Sequence, residues 1–378
     1  MKLLHLSDLH LGKRLYETSL IEDQDVILRQ ILDVIDAEKP DAVLIAGDVY
    51  DKSVPSAEAV SLFDFFLVEL AKRRLQVFVI SGNHDSPERI AFGGAIMDAS
   101  GIHLSPVYSG VIKPVTLSDE HGEVDFYMLP FIKPSHVHRF YEKENIETYT
   151  DAVKVAVDKM EVNKEKRNVL ITHQFVTGAR RAESEESVGG TDNVDAYVFN
   201  DFDYVALGHL HGAQFCSNEK IRYSGTPLKY SFSEYNDVKS VSVVTLGAKG
   251  EMEIKTVALK PKRDMKKIRG TFFDLTDLSH VDRAMAENDY VQITLTDEDD
   301  VPNAMARLQA IYKNALELRY DNTRTRANAS IFGVENIEKK SAFQLFNEFF
   351  KERNNMEMSD KQAEYIKNLV EKIEEENA

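Results

Sequence analysis

Ser81-Gly82-Asn83-His84-Asp85 follows directly on the apolar run Val77-Phe78-Val79-Ile80. A short hydrophobic run stopped by glycine reads as a buried parallel strand, and open α/β sheets carry their chemistry at the carboxyl ends of such strands. The stretch therefore sets an amide oxygen, an imidazole and a carboxylate on one functional edge. Four other segments repeat the arrangement. Leu3-Leu4-His5-Leu6 runs into Ser7-Asp8-Leu9-His10, Ala42-Val43-Leu44-Ile45 into Ala46-Gly47-Asp48, Val169-Leu170-Ile171 into Thr172-His173, and Tyr204-Val205-Ala206-Leu207 into Gly208-His209-Leu210-His211. Strands that all deliver Asp, Asn or His at the same end are how a fold builds a cage for metal ions.

Composition bounds what surrounds the cage. A chain of 378 residues exceeds one ordinary core, so a large domain with at least one smaller one is expected. The apolar share of 43% is that of a soluble globular protein. No apolar run approaches a membrane span, and the amino terminus enters a strand at once, without a signal-peptide pattern. The single cysteine, Cys216, excludes an internal disulfide and fits a reducing cytoplasm, with a small buried or half-buried thiol as its expected state. A net charge of −17 excludes a protein that simply coats nucleic acid, so any DNA contact must come from local basic patches, bound metal or a partner.

Residues 1–265 alternate strand and helix, an α/β layer pattern. Ile27, Ile31, Val34 and Ile35 stripe a helix over Glu22–Ala37, and Val60, Phe63, Leu67 and Leu70 a second one after Pro55-Ser56. A strand at Phe126–Leu129 and a helix near Ala152–Met160 follow. His103, His121, His136 and His138 sit in no ligand-like setting and read as surface or structural histidines. The long polar segment between His173 and His209 is either a lid or a solvated excursion.

A basic run, Lys260, Lys262, Arg263, Lys266, Lys267 and Arg269, marks a change of composition and reads equally as solvated linker or phosphate-contacting strip. Residues 266–335 then form a small α/β domain, with strands expected at 271–275, 290–296 and 316–320 and helices at 280–286 and 302–313. In the tail, residues 336–378, Ser341 with Gln344 and Ser359 with Gln362 have the capping-box spacing, so each opens a helix. Phe343, Phe346 and Phe350 face one way on the first, and Ile366, Leu369 and Ile373 on the second. These faces either pack on the body or dock another chain; docking is the preferred reading, because exposed Phe side chains are costly in water.

Asp8, His10, Asp48, Asn83, His173, His209 and His211 offer nitrogen and oxygen donors without a thiolate. That set suits two borderline-to-hard divalent ions, Mn²⁺, Fe²⁺ or Zn²⁺. Two such ions stand about 3.5–4 Å apart and clamp the attacking and leaving oxygens of a phosphoryl centre, so phosphoester hydrolysis is the chemistry expected.

Asp8-Leu9-His10, Gly47-Asp48, Gly82-Asn83-His84-Asp85, His173 and Gly208-His209-Leu210-His211 resemble, in order, the five motifs of the calcineurin-like metallophosphoesterases. The resemblance implies a four-layer sandwich, two mixed sheets flanked by helices, here extended by a small α/β capping domain and a helical tail. The stretches Leu4–Gly12, Asp203–His211 and Tyr223-Ser224-Gly225-Thr226-Pro227 through Ser231-Phe232-Ser233 resemble, more narrowly, the bacterial nuclease subunits that work with an ATPase partner on DNA ends. It implies one metal on Asp8, His10, Asp48 and His211, a second on Asp48, Asn83, His173 and His209, and Asp48 between them. Mn²⁺ is the ion expected.

His84 is then the residue expected to protonate or stabilise the leaving oxygen, oriented by Asp85; a supporting role behind Asn83 is the alternative. Asp51 stands where some relatives carry histidine. A homodimer, the ATPase docked on the tail helices with two copies of each chain, and a DNA-facing capping domain are implied likewise. Lys13, Arg14, Arg89, Arg180, Arg181, Lys262, Arg263, Lys266 and Lys267 are candidates for a phosphate path. The competing expectation is a phosphodiesterase or phosphatase on nucleotides or other small metabolites, which the same motifs serve and the acidity mildly favours. A metal-free scaffold would need eroded ligands, and every ligand position is filled.

Overall fold

The computed structural model describes residues 1–180, 192–323, 325–326, 342–354 and 357–376. Arg181, Ser341 and the middle of the segment between His173 and His209 lie outside the described residues. The chain falls into two compact units, the first reaching Asn322 and the second starting at Thr323.

Two six-stranded mixed sheets organise the first unit. One runs in the order Met252–Ala258, Ser240–Leu246, Lys2–Leu6, Ala42–Ala46, Gln76–Ile80, Ile102–Leu104. The other runs Gln214–Cys216, Asn218–Tyr223, Tyr204–Gly208, Arg167–His173, Gly122–Leu129, Val115–Asp119. The central strands of each are parallel. Continuous apolar runs such as Ala42–Ala46 demand cover on both faces, and every residue of that strand is buried.

The inner faces meet in one core of Leu44, Phe78 and Ile80 against Phe126, Val169 and Ile171, where the rings of Phe78 and Phe126 stack at 4.6 Å. Outside the first sheet lie the helices Ile21–Glu38 and Ala57–Lys72, burying Ile27, Ile31, Phe63 and Phe66. Outside the second lies Tyr149–Asp158, burying Ala152, Val153 and Ala156. The expected four-layer α/β sandwich is therefore present. His103 is structural, held by Asp98 and Gln76, and Cys216 is buried.

A three-stranded parallel sheet, Met265–Gly270, Tyr290–Leu295 and Asn314–Tyr320, has its own core of Val291, Ile293, Leu308 and Tyr312. Here the sequence expectation needs correcting. Residues 271–275 are not a strand: Thr271 accepts a hydrogen bond from the Asp274 amide and caps the short helix Phe272–Thr276. The first strand is instead the basic run itself, in which Met265 and Ile268 turn to opposite faces, Met265 buried in the core beneath the helix Ile21–Glu38 and Ile268 half-buried against the small sheet's own core. Asp23 fastens this sheet to helix Ile21–Glu38, accepting from Arg263 Nη1 at 2.7 Å and from the Tyr290 hydroxyl at 2.9 Å.

The second unit contains the helices Ala342–Asn354 and Asp360–Glu376. Ser359 opens the latter, its amide donating to Gln362 Oε1 at 3.0 Å. Phe346, Phe349 and Leu369 are exposed, whereas Phe343, Phe350 and Ile366 are half-buried. The side chain of Ile373 lies outside the description.

Candidate metal centre

Three of the five strands of the cage, Lys2–Leu6, Ala42–Ala46 and Tyr204–Gly208, break into their loops through unusual backbone. Asp8 (φ 53°), His10 (φ 44°), Asp48 (φ 48°) and His209 (φ 105°) all lie at positive φ, which costs a residue other than glycine roughly 1–3 kcal/mol and persists where the surroundings enforce it. Glycines allow the loops to close. A Cβ on Gly82 would fall 2.1 Å from Asp48 Oδ1, and one on Gly208 only 1.9 Å from the Ala46 carbonyl.

Asp48 sits at the middle. Its Oδ1 accepts the His84 amide at 2.9 Å, and its Oδ2 lies 3.3 Å from His173 Nε2 and 3.7 Å from His10 Nε2. Asp8 accepts the His209 amide on both oxygens, at 3.0 and 3.1 Å. Asn83 Oδ1 stands 3.0 Å from both His173 Nε2 and His209 Nδ1. The His211 ring packs 5.3 Å from that of His10. The structure thus brings all seven expected ligand residues together. Asp8, His10, Asp48 and His173 form a buried floor, while Asn83 and His84 are exposed at its mouth.

Titration behaviour follows from this crowding. Burial pushes Asp8 up to about 6, with Asp48 adding to it and His173 opposing. Asp48 resists burial because His173, His10 and His84 surround it, and its carboxyl stays well below the usual range. For His173, burial alone would lower the pKa, but the Asp48 carboxylate raises it to about 9. Burial holds His10 well below the ordinary imidazole value.

Two buried carboxylates face one another here, and neither ring nitrogen of His10 has a hydrogen-bond partner. Orphaned buried donors and acceptors are expensive, and divalent cations would satisfy both features, so the residues present fit a metal centre. Asp48 is common to both compact ligand groups, Asp8 with His173 and His10 with His84.

The surroundings fix ring orientation. His173 Nδ1–H donates to the Ala46 carbonyl at 2.8 Å, which turns Nε2 toward the carboxylates. His211 Nδ1–H donates to Glu234 at 3.2 Å, and buried Lys239 holds that carboxylate from behind at 2.6 Å. Gln24 donates to the His10 carbonyl at 2.7 Å and accepts the Gly12 amide at 2.9 Å. Tyr230 donates its hydroxyl proton to the Leu9 carbonyl and places its ring 5.6 Å from that of His10.

Sequence reasoning missed Gln24, Tyr230, Glu234 and Lys239. A glutamine set among the apolar positions of the first helix, and a glutamate directly after Ser231-Phe232-Ser233, were the available signals.

Asp85 needs a correction. It does not orient His84; its carboxylate accepts the amides of Val49 at 3.1 Å, Tyr50 at 2.9 Å and Gly82 at 2.9 Å, clamping one ligand loop to the next. The His84 ring is held instead by the Asp51 carbonyl, 3.1 Å from Nδ1. Asp51 also accepts from Lys13 at 2.7 Å and lies 3.8 Å from His10 Nδ1.

Most cations proposed for a phosphate path are committed elsewhere. Lys262 pairs with Glu22 at 3.0 Å, Arg263 with Glu22 and Asp23 at 2.7 Å, and Lys266 with Asp264 at 2.6 Å. Lys267 covers the Tyr235 ring, and Arg14 lies against Glu17. Arg89 and Arg180 are exposed.

Residues 1–213 match the calcineurin-like phosphoesterase family, and residues 261–354 match the type 5 capsule protein repressor C-terminal domain of SbcD. Over 381 aligned residues, 98% of each chain, the sequence is 32% identical to the SbcD component of the SbcCD nuclease of Staphylococcus epidermidis. The chain belongs to the SbcD family of calcineurin-like phosphoesterases. Membership makes this SbcD-family chain a metal-dependent phosphoesterase. Solved structures share less. A Thermus thermophilus protein is 12% identical with a TM-score of 0.41, and a dimetal phosphatase from Danio rerio 14% identical with a TM-score of 0.39. Each alignment covers 68% of this chain, and 98% and 95% of the respective structure.

Proposed function

We propose that the chain is a Mn²⁺-dependent nuclease that processes double-stranded DNA ends and hairpins in recombination and repair, working in the cytoplasm with an SbcC ATPase in an assembly of two copies of each. Residues 1–265 are the nuclease domain, 266–335 the DNA-facing cap, and 336–378 the SbcC-docking tail. The observation that carries this reading is the floor of Asp8, Asp48 and unpartnered His10, set in a chain similar from end to end to a nuclease subunit.

Asp8, His10, Asp48 and His211 would hold one ion and Asp48, Asn83, His173 and His209 the other. Bound there, divalent ions supply Lewis acidity to the phosphodiester and to water. The chain's own residues do the rest. Ala46 and Glu234 fix His173 and His211 in the tautomer that presents Nε2. His84, tied through Nδ1 to Asp51, keeps its other nitrogen at the exposed mouth, where it passes a proton to the leaving oxygen. The exposed rings of Phe346 and Phe349 fit the apolar groove of a partner helix or hairpin.

Hydrolysis of an end-labelled linear duplex with Mn²⁺, beside a small phosphodiester, tests the reading. Wild type should cut both, and His84→Ala should lose duplex cutting by about 100-fold or more. Cutting of the small diester alone, even with SbcC added, would favour a metabolite phosphodiesterase instead.

A further inference from the structure

The segment that leaves strand Gly122–Leu129 is fastened to two ligand loops. Leu129 pairs with Thr172, next to His173. The Phe131 amide donates to the Ser81 carbonyl at 2.9 Å, and Gln174 Nε2 donates to the Ile132 carbonyl at 3.3 Å. The Phe131 ring stands edge-on to that of His173, 6.3 Å away. Two residues farther comes Lys133, about 7.6 Å along the chain at most, then the short helix Pro134–His138, anchored by fully buried Val137, and Arg139.

Among the described residues neither Lys133 nor Arg139 forms an ion pair, and the Arg139 guanidinium lies 4.9 Å over the ring of its neighbour Phe140. Between Asp125 and Glu142 the sequence contains no acidic residue. The charges acting on His136, after burial, are those of Lys133 and Arg139, so the two cations share one neighbourhood. Lys133 is half-buried, burial pulls its pKa down, and among the described residues no carboxylate opposes it. An ammonium that gives up water without a counter-charge is costly until an anion arrives. The run at 262–269 makes the contrast, since its charges are spent on Glu22, Asp23, Asp264 and Asp321.

We propose that Lys133 and Arg139 bind the phosphate backbone of the nucleic-acid strand on the Asn83, His173 and His209 side of the metal centre. Phe131 fills the place beside His173, so the anion these cations take is not the phosphate being cut. It is a neighbouring phosphate of the same strand, which sets where along the strand the cut falls. The inference rests on the nuclease reading and names the surface by which that site holds its substrate.

The test uses the full chain and a fluorescein-labelled duplex, with anisotropy read across a salt series in EDTA so that nothing is cut. For Lys133→Gln/Arg139→Gln, binding at low salt should weaken about tenfold, and the slope of log K against log salt should become shallower by about 1.8, twice 0.9. With Mn²⁺ present, the KM for duplex should rise more than kcat falls. Lys133→Arg/Arg139→Lys should restore the slope, which separates charge from folding. An unchanged slope in the double Gln variant, or a wild type that binds no duplex at low salt, overturns the contact. A wild type that binds duplex with the predicted slope yet never cuts it would sink the nuclease reading and leave this surface standing.

Discussion

His5 and His10 lie within one strand and the loop that ends it, and both are fully buried. The difference between their surroundings separates scaffold from chemistry. His5, between the two sheets, accepts from the Tyr204 hydroxyl on Nδ1 at 2.7 Å and donates from Nε2 to the Leu207 carbonyl at 3.2 Å. His10, in the loop, has neither nitrogen paired and a backbone at positive φ. Burial disfavours the charged form of both rings, taking His5 to about 3. A satisfied buried histidine stabilises the fold. An unsatisfied one marks a place prepared for a ligand the chain does not itself supply.

The sharpest way to break this contrast is at its centre. Asp48→Asn should cut Mn²⁺-dependent hydrolysis of a small phosphodiester by about a thousandfold, because both ligand groups lose their common carboxylate. Near-normal turnover would mean the floor is not the metal centre. Exchanging the two histidines for alanine comes next. His10→Ala should weaken Mn²⁺ binding about 100-fold by calorimetry, yet change urea stability in chelator by less than about 1 kcal/mol. His5→Ala should do the reverse, losing about 2–4 kcal/mol while each folded molecule keeps its turnover. Equal behaviour of the two variants would erase the distinction.

Smaller effects refine it. Glu234→Gln keeps an acceptor for His211 but removes the charge, so Mn²⁺ affinity should drop about tenfold in the same titration. The His5 ring predicts a pH dependence, burial being the main cause of its depressed pKa and Arg222 the next. The unfolded chain takes up this proton first, so the contribution is intact above about 6.5 and is lost as pH falls toward 3, by up to about 1.4 kcal/mol per pH unit. His5→Gln should flatten that part of the acid limb in pH-dependent urea melts, and an unaltered limb would place the lost protons elsewhere. Least of all, Lys262→Gln should shift stability by under about 0.5 kcal/mol, because its pair with Glu22 is exposed.

The layers of the fold were legible because buried parallel strands write themselves as unbroken apolar runs, and the candidate ligands were legible because each run stops on Asp, Asn or His. What supports the ligands was not. Glu234 and Lys239 reach His211 from a segment far along the chain, and no local pattern ties such a partner to its ring. Asp85 was read by its neighbour in sequence, yet its carboxylate serves the backbone amides of another loop. The strand at Met265–Gly270 was obscured because Lys267 answers to the ring of Tyr235, near only in space, while Lys266 pairs with Asp264 just before the strand.

The strand Lys2–Leu6 lies in the interior of its sheet, between Ala42–Ala46 and Ser240–Leu246. This strand is therefore synthesised long before Ser240–Leu246, the partner that pairs its second edge. Asp8, His10, Asp48 and Asn83 leave the ribosome long before His173, His209 and His211, so the candidate centre is completed only late in synthesis. During that interval the edge of Lys2–Leu6 is open to pairing with another chain. Pairing with Ser240–Leu246 closes that edge only after every candidate ligand has been made.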